Sequence, residues 1–159
     1  MKEYRDKYPK STYLGKSKVG NPTMTTQRIE SLMTGSEIFS SGNILKTFLA
    51  SKVEADNLID QLNHANKTSA VLGDNTWVKL FEFSDEEVCE NTFDVHDLET
   101  CDRVVYDNLV QFLKPEGGKK GSDFIIGHLL GMDHVGHSTG SITDRMMEVK
   151  IKEFSRFLA

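Results

Sequence analysis

Apolar residues along the chain follow two patterns, one recurring every three or four residues and one nearly continuous over about five. The helical pattern first appears at Thr26–Thr34, where Ile29, Leu32 and Met33 share a face and Gly35 supplies the stop. It returns at Glu54–Ala65, with Leu58, Ile59 and Leu62 as the expected buried face. Leu98–Leu113 repeats it most regularly, through Leu98, Cys101, Val105, Leu109 and Phe112. Ile142–Leu158 carries it again on Met146, Met147, Val149, Phe154 and Leu158. The continuous pattern predicts a short strand at Thr68–Leu72, ending at Gly73. A second strand is expected at Phe124–His128, covered on both faces. Asp85–Asp97 is acidic and predicts an irregular surface loop, and Pro115–Ser122 reads as a flexible turn.

Strands alternating with helices of this length define an α/β fold, a parallel sheet joined by helical crossovers. In such sheets ligands collect beyond the carboxyl ends of the strands. GDNTW, starting at Gly73, and GMDHVGH, starting at Gly131, each follow a predicted strand and so belong to that edge. Trp77 and Phe81 are expected in the core. The chain has no internal repeat.

Composition narrows the class. The 159 residues suit one domain, with 38% hydrophobic and 27% charged residues. A net charge of −5 argues against a general nucleic-acid binder. Residues 1–20 are nonetheless basic, with Lys2, Arg5, Lys7, Lys10, Lys16 and Lys18 among Tyr4, Tyr8 and Tyr13, and are expected to be poorly ordered. No apolar run approaches the roughly 20 residues of a membrane-spanning helix, and no signal-peptide pattern follows Met1. Cys89 and Cys101 lack metal-knuckle spacing and define no disulfide framework. Asn66-Lys67-Thr68 is a glycosylation sequon.

Two segments carry candidate chemistry. In GMDHVGH, a carboxylate (Asp133) and an imidazole (His137) four residues apart in a glycine-flexed loop can converge on one divalent metal, and zinc accepts both donors. The alternative is that Asp133 caps a helix and the histidines are solvated. Upstream, Thr23, Thr25 and Thr26 precede the first helix, where unpaired N–H groups and the helix dipole favour a phosphate. Plain capping explains the same threonines. Gly131–Ser138 also has P-loop glycine spacing, but His137 stands where that motif needs Lys, so the nucleotide-binding reading fails.

These segments occur in order with others: PTMTTQR at Pro22–Arg28, LMTGS at Leu32–Ser36, VEADNLIDQL at Val53–Leu62, GDNTWVKLF at Gly73–Phe81, FDVHDLETCDRVV at Phe93–Val105 and HLLGMDHVGH at His128–His137. The series resembles the lumenal catalytic domain of the GPI ethanolamine phosphate transferases, of the third and second types, within the alkaline-phosphatase superfamily. The resemblance runs from Asn21 to Gly140.

That resemblance implies a partial alkaline-phosphatase-like core over residues 21–159, with helices on both faces of the parallel sheet. It implies Thr25 as nucleophile, with Thr26 as the fallback, in the superfamily's P-T-x-T pattern. Asp133 and His137 become ligands of one metal, zinc in the first instance, while His134 either binds substrate or packs. Asn43 corresponds to an asparagine that holds a phosphoryl oxygen, although the segment before it is shorter than in the family and lacks the usual proline. Asp74 is either a substrate-contacting group or a turn residue. A complete site holds two metals. The remaining ligands are expected before Met1 and after Ala159, leaving a half-site here with weak zinc binding and no turnover on its own. The implied reaction moves phosphoethanolamine from phosphatidylethanolamine to a mannose of the GPI precursor, on the lumenal side of the endoplasmic reticulum membrane. A small membrane-embedded partner subunit is also compatible with the resemblance. The alternatives are a soluble metal-dependent phosphodiesterase of the same superfamily and an inactive truncated relic.

Overall fold

The computed structural model describes residues 2–13, 15–16, 18, 20, 23–37, 51–113, 121–140 and 145–157. Asn43, most of the turn after Leu113, Pro22 and Leu158 lie outside the described residues. In chain order the elements are α1 (Lys2–Lys7), α2 (Thr25–Thr34), α3 (Leu58–His64), β1 (Ser69–Asp74), α4 (Thr76–Leu80), β2 (Asp85–Cys89), α5 (Thr100–Leu113), β3 (Phe124–His128), α6 (Gly131–Thr139) and α7 (Arg145–Phe157). The three strands form a parallel sheet in the order β2-β1-β3. This is the α/β architecture that the alternating pattern predicts, and it is consistent with part of an alkaline-phosphatase-like core.

β1 lies at the centre and is buried along its whole length. Its alternating side chains serve two layers. On one face Val71 joins Phe124 and Ile126 of β3 against Ile29 and Met33 of α2, Ile59 of α3, and Trp77, Leu80 and Phe81 at α4. On the other face α5 lies close to the sheet. A Cβ on Gly73 or on Gly127 would come within 2.9 Å of a Val105 methyl group, so helix and sheet meet where the sequence has glycine. Helices therefore cover both faces, and Trp77 and Phe81 are core residues as the pattern predicts.

Four local expectations are corrected. The acidic stretch expected as an irregular loop contains β2, whose Asp85, Glu86 and Glu87 are exposed. Charged side chains suit the edge of a sheet, where they discourage pairing with other chains, and they hide the strand from a hydrophobic pattern. Cys89 and Cys101 form a disulfide, with Cα atoms 5.3 Å apart, joining the end of β2 to the first turn of α5. Their partnership is a tertiary fact that spacing alone does not carry. The second helix starts at Leu58, because Asn57 Oδ1 accepts the Asp60 N–H at 3.0 Å and fixes the N-terminus there. Leu58 is consequently 43% exposed, while Ile59 is fully buried. Finally, Phe124, Ile125 and Ile126 are half-buried rather than fully covered, because β3 lies at the edge of the described sheet.

Other boundaries agree closely. The predicted stop at Gly35 is a left-handed cap with φ 68°, and its N–H donates to Ser31 O at 3.0 Å. β3 matches its predicted span. Within the basic segment, Lys2–Lys7 is helical.

Candidate active site at the carboxyl edge of the sheet

β1 and β3 run parallel and end side by side at Gly73 and His128. The segments that follow both strands therefore leave from one edge, where Asp74 closes β1 and Asp133 lies in the segment after β3.

Asp74 is the last residue of β1 and only 2% exposed. Its Oδ1 accepts the Thr76 N–H at 2.8 Å, which turns the chain directly into α4. Its Oδ2 lies 3.2 Å from His128 Nδ1. That same nitrogen lies 2.9 Å from Trp77 Nε1. One ring nitrogen carries either a proton or a lone pair. Protonated at Nδ1 the ring donates to Asp74; protonated at Nε2 it accepts from the indole. Burial pushes the Asp74 carboxyl up, but hydrogen bonds from His128 and from the Thr76 amide and hydroxyl outweigh it. Together with the His128 charge they hold the group below the usual carboxylate range. Of the two readings of Asp74, the turn is thus present, and it is joined by a histidine partner that the sequence reading did not single out.

After β3 comes GMDHVGH, expected as a loop. It is the helix α6, and this is a further correction. The cause is Asp102 on α5, whose buried Oδ1 accepts the Leu130 and Gly131 N–H groups at 2.8 and 2.9 Å. These are among the N–H groups that a helix start leaves unpaired. Gly131 is required by the same contact, since a Cβ there would collide with the Asp102 carboxylate and approach Leu98 O to 2.7 Å. Lys150 of α7 lies 3.6 Å from Asp102 on its other oxygen, both side chains almost wholly buried. At its far end α6 closes on Gly140 in the left-handed conformation.

Helical geometry changes what Asp133 and His137 can do. Four residues apart on a helix they share one face, and His137 Nε2 lies 3.5 Å from Asp133 Oδ2. Both side chains are well exposed, so their donors face solvent. Two donors each bound to a tetrahedral zinc at roughly 2 Å would lie roughly 3.3 Å apart, so the pair fits two positions of one ion. Without an ion the same contact is a carboxylate–imidazole pair at helical spacing. Among the described residues no group of three or more His, Cys, Asp or Glu gathers to complete such a site.

His134, between them, faces the other way and is 2% exposed. Its Nδ1 lies 2.7 Å from Asp97 O and its Nε2 3.2 Å from Thr92 O, so the ring packs α6 against the loop after β2. Of its two possible roles, packing is the one present.

Thr25 is the first helical residue of α2 and is exposed; Thr26 follows, half-buried. Neither is the cap. That position belongs to Met24, which brings no side-chain acceptor, so the start of α2 has no side-chain cap. Among the described residues no hydrogen bond or ion pair joins Thr25 or Thr26 to Asp133 or His137. α2 packs on α4 and α3, and α6 on α7. The structure thus brings together Asp133 with His137 and Asp74 with His128, and leaves the threonines on a separate element. Sequence reasoning missed His128 and Asp102. His128 was visible as a polar end to an apolar run, whereas nothing in the spacing marks Asp102.

The fold and its carboxyl edge define a partial parallel α/β domain with a carboxylate–imidazole pair where such sheets bind ligands. Over 139 residues, 84% of this chain, the sequence is 37% identical to GPI ethanolamine phosphate transferase 3 of Saccharomyces cerevisiae, of which the match covers 13%. It is 35% identical over 136 residues to the human GPI ethanolamine phosphate transferase 3 catalytic subunit, covering 83% of this chain and 12% of that protein. The human GPI ethanolamine phosphate transferase 2 catalytic subunit is 36% identical over 120 residues, 75% of this chain and 12% of that protein. The chain is thus homologous to GPI ethanolamine phosphate transferases of the third and second types, as a partial domain that spans only about an eighth of the length of these relatives. No family model matches it. No solved structure matches it.

Proposed function

We propose that this chain supplies the nucleophile and part of the metal site for transfer of phosphoethanolamine from phosphatidylethanolamine to a mannose of the GPI precursor. The observation that carries this reading is the solvent-facing Asp133–His137 pair, 3.5 Å apart on a helix that leaves the sheet's carboxyl edge, in a chain homologous to transferases of that name. Thr25 attacks the donor phosphodiester and forms a phosphoethanolamine–threonine intermediate; diacylglycerol leaves, and the mannose hydroxyl then takes the group. The start of α2, with no side-chain cap, offers backbone N–H groups and the positive end of the helix dipole to the phosphoryl oxygens. Asp133 and His137 would hold a divalent metal, zinc in the first instance, and such a metal would supply Lewis-acid chemistry that favours the deprotonated threonine and offsets negative charge on the phosphate. Asn43 is a further candidate for orienting a phosphoryl oxygen. A complete site of this superfamily holds two metals, so further ligands complete what Asp133 and His137 begin.

The compartment is the lumen of the endoplasmic reticulum. The Cys89–Cys101 disulfide supports this, since such bonds persist in oxidising compartments. Among the described residues no helix is long and apolar enough to cross a membrane.

The test is a chimera of the yeast third-type transferase in which the aligned segment is replaced by this chain. Rescue of cells lacking that enzyme, lost on Thr25→Ala, Asp133→Ala or His137→Ala, is expected. Rescue by the equivalent second-type chimera alone would reassign the acceptor mannose. A stably expressed pair of chimeras that rescues neither strain would overturn the transferase reading and leave hydrolysis of a phosphodiester in its place.

A further inference from the structure

Asn66-Lys67-Thr68 is the one Asn-x-Ser/Thr string in the chain with an acceptable middle residue, since Asn21-Pro22-Thr23 is excluded by its proline. Its place in the fold suits modification. α3 ends at His64, and Asn66 follows in the left-handed conformation, φ 55°. Its N–H donates to Asn63 O at 3.0 Å, and the Lys67 N–H donates to Leu62 O at 2.9 Å. The backbone of the turn is thereby committed, while the Asn66 side chain projects from an exposed residue. Among the described residues no hydrogen bond holds that side-chain amide.

Position along the sheet gives the second argument. Asn66 precedes the amino end of β1, whereas Asp74 and His128 stand at the carboxyl end. Six residues of strand separate the two ends by roughly 17 Å, so a bulky group on Asn66 leaves the carboxyl edge open. The compartment gives the third. Asn-linked glycans are added where disulfides also form, and Cys89–Cys101 is closed in this fold.

We infer that Asn66 carries an N-linked oligosaccharide at the face of the domain opposite its carboxyl edge. This rests on the lumenal placement argued above. The donor is a lipid-linked oligosaccharide pyrophosphate. Asn66 Nδ2 forms a bond to the anomeric carbon of the first sugar and loses one proton. The anomeric C–O bond to the pyrophosphate breaks, and the lipid pyrophosphate leaves with the bonding pair.

The experiment directs the 159-residue chain into endoplasmic reticulum microsomes with a cleavable secretory signal. Electrophoretic mobility is read with and without endoglycosidase, and with and without reductant. Wild type is expected to show one endoglycosidase-sensitive shift. Asn66→Gln and Thr68→Ala should abolish it completely, and Thr68→Ser, which keeps the sequon and its hydroxyl, should restore it. A wild-type chain that enters the microsomes and stays unmodified overturns the inference, whether or not its disulfide has closed. A shift that persists in Asn66→Gln does so equally. Failure of the lumenal reading would look different: the protein carrying its natural targeting sequences would remain protease-accessible with free cysteines, while the signal-directed chain still acquired its glycan.

Discussion

The two ends of the sheet place carboxylates in opposite circumstances. At the amino end Asp123 is fully engaged. Its Oδ2 accepts the Thr68 N–H at 2.9 Å and the Thr68 hydroxyl at 3.2 Å, and its Oδ1 pairs with Lys67 at 3.1 Å. These partners, the Thr68 amide foremost, pull its carboxyl down to about 2. At the carboxyl end bonding capacity is left over. Asp74 competes with Trp77 for one nitrogen of His128, and Asp133 and His137 face solvent with only each other as partners among the described residues. Asp102 stands between these cases: it belongs to the carboxyl edge, yet both its oxygens are taken up by α6 and Lys150. A satisfied carboxylate holds structure together, and one with spare acceptor capacity is available to a ligand.

Substitutions should separate the two kinds. The largest loss of stability is expected for Asp102→Ala, which removes the acceptor for two buried N–H groups and leaves Lys150 with Glu153, 2.9 Å away, as its remaining carboxylate partner. Leaving a buried donor unsatisfied costs about 1–3 kcal/mol for each of the two N–H groups, readable as a lowered urea midpoint. Next comes the disulfide. Cys89→Ser with Cys101→Ser opens a link with a sequence separation of 12, for a loss of about 2–3 kcal/mol. Denaturant titrations under oxidising and reducing conditions should show it in the parent and not in the double variant.

Asp123→Asn should act more weakly and with a defined pH dependence. The folded carboxyl lies below its ordinary value of 3.8, at about 2, so its contribution is complete above the ordinary value and is lost as pH falls through the folded one. The difference in urea midpoint between parent and variant should be constant near neutrality and shrink between about pH 4 and pH 2. A difference that grows on acidification would contradict the clamp. The smallest effect is expected for Asp133→Ala and His137→Ala, both exposed on α6. Stability should change by no more than about 0.5 kcal/mol. A much larger loss would make them structural and erase the contrast between the two ends.

The legible parts of the fold were those that local pattern encodes. Ile29 and Met33 marked α2, Gly35 its stop, and the apolar run at Phe124 the strand β3. β2 was illegible because an edge strand with an exposed Asp-Glu-Glu face buries only its last residues. The helix at Gly131–Thr139 was read as a loop because its start is fixed by Asp102, 28 residues upstream of Leu130. In the site, Asp133 and His137 were legible as a pair through their spacing, and helical structure sharpened that pair. The Asp74–His128 contact was not, since it depends on β1 and β3 lying side by side in parallel register. Thr25 was found through its motif, and its position at the helix start follows from a cap that falls one residue earlier, on Met24.

The central claim is that Thr25 receives phosphoethanolamine with the support of Asp133 and His137. Its most direct test uses the third-type chimera, incubated with phosphatidylethanolamine labelled in the ethanolamine phosphate and without acceptor, followed by peptide mapping. The account predicts covalent label on Thr25, absent from Thr25→Ala and strongly reduced in Asp133→Ala and His137→Ala. Label on Thr26 or elsewhere, or a folded and active chimera that never labels Thr25, would contradict it.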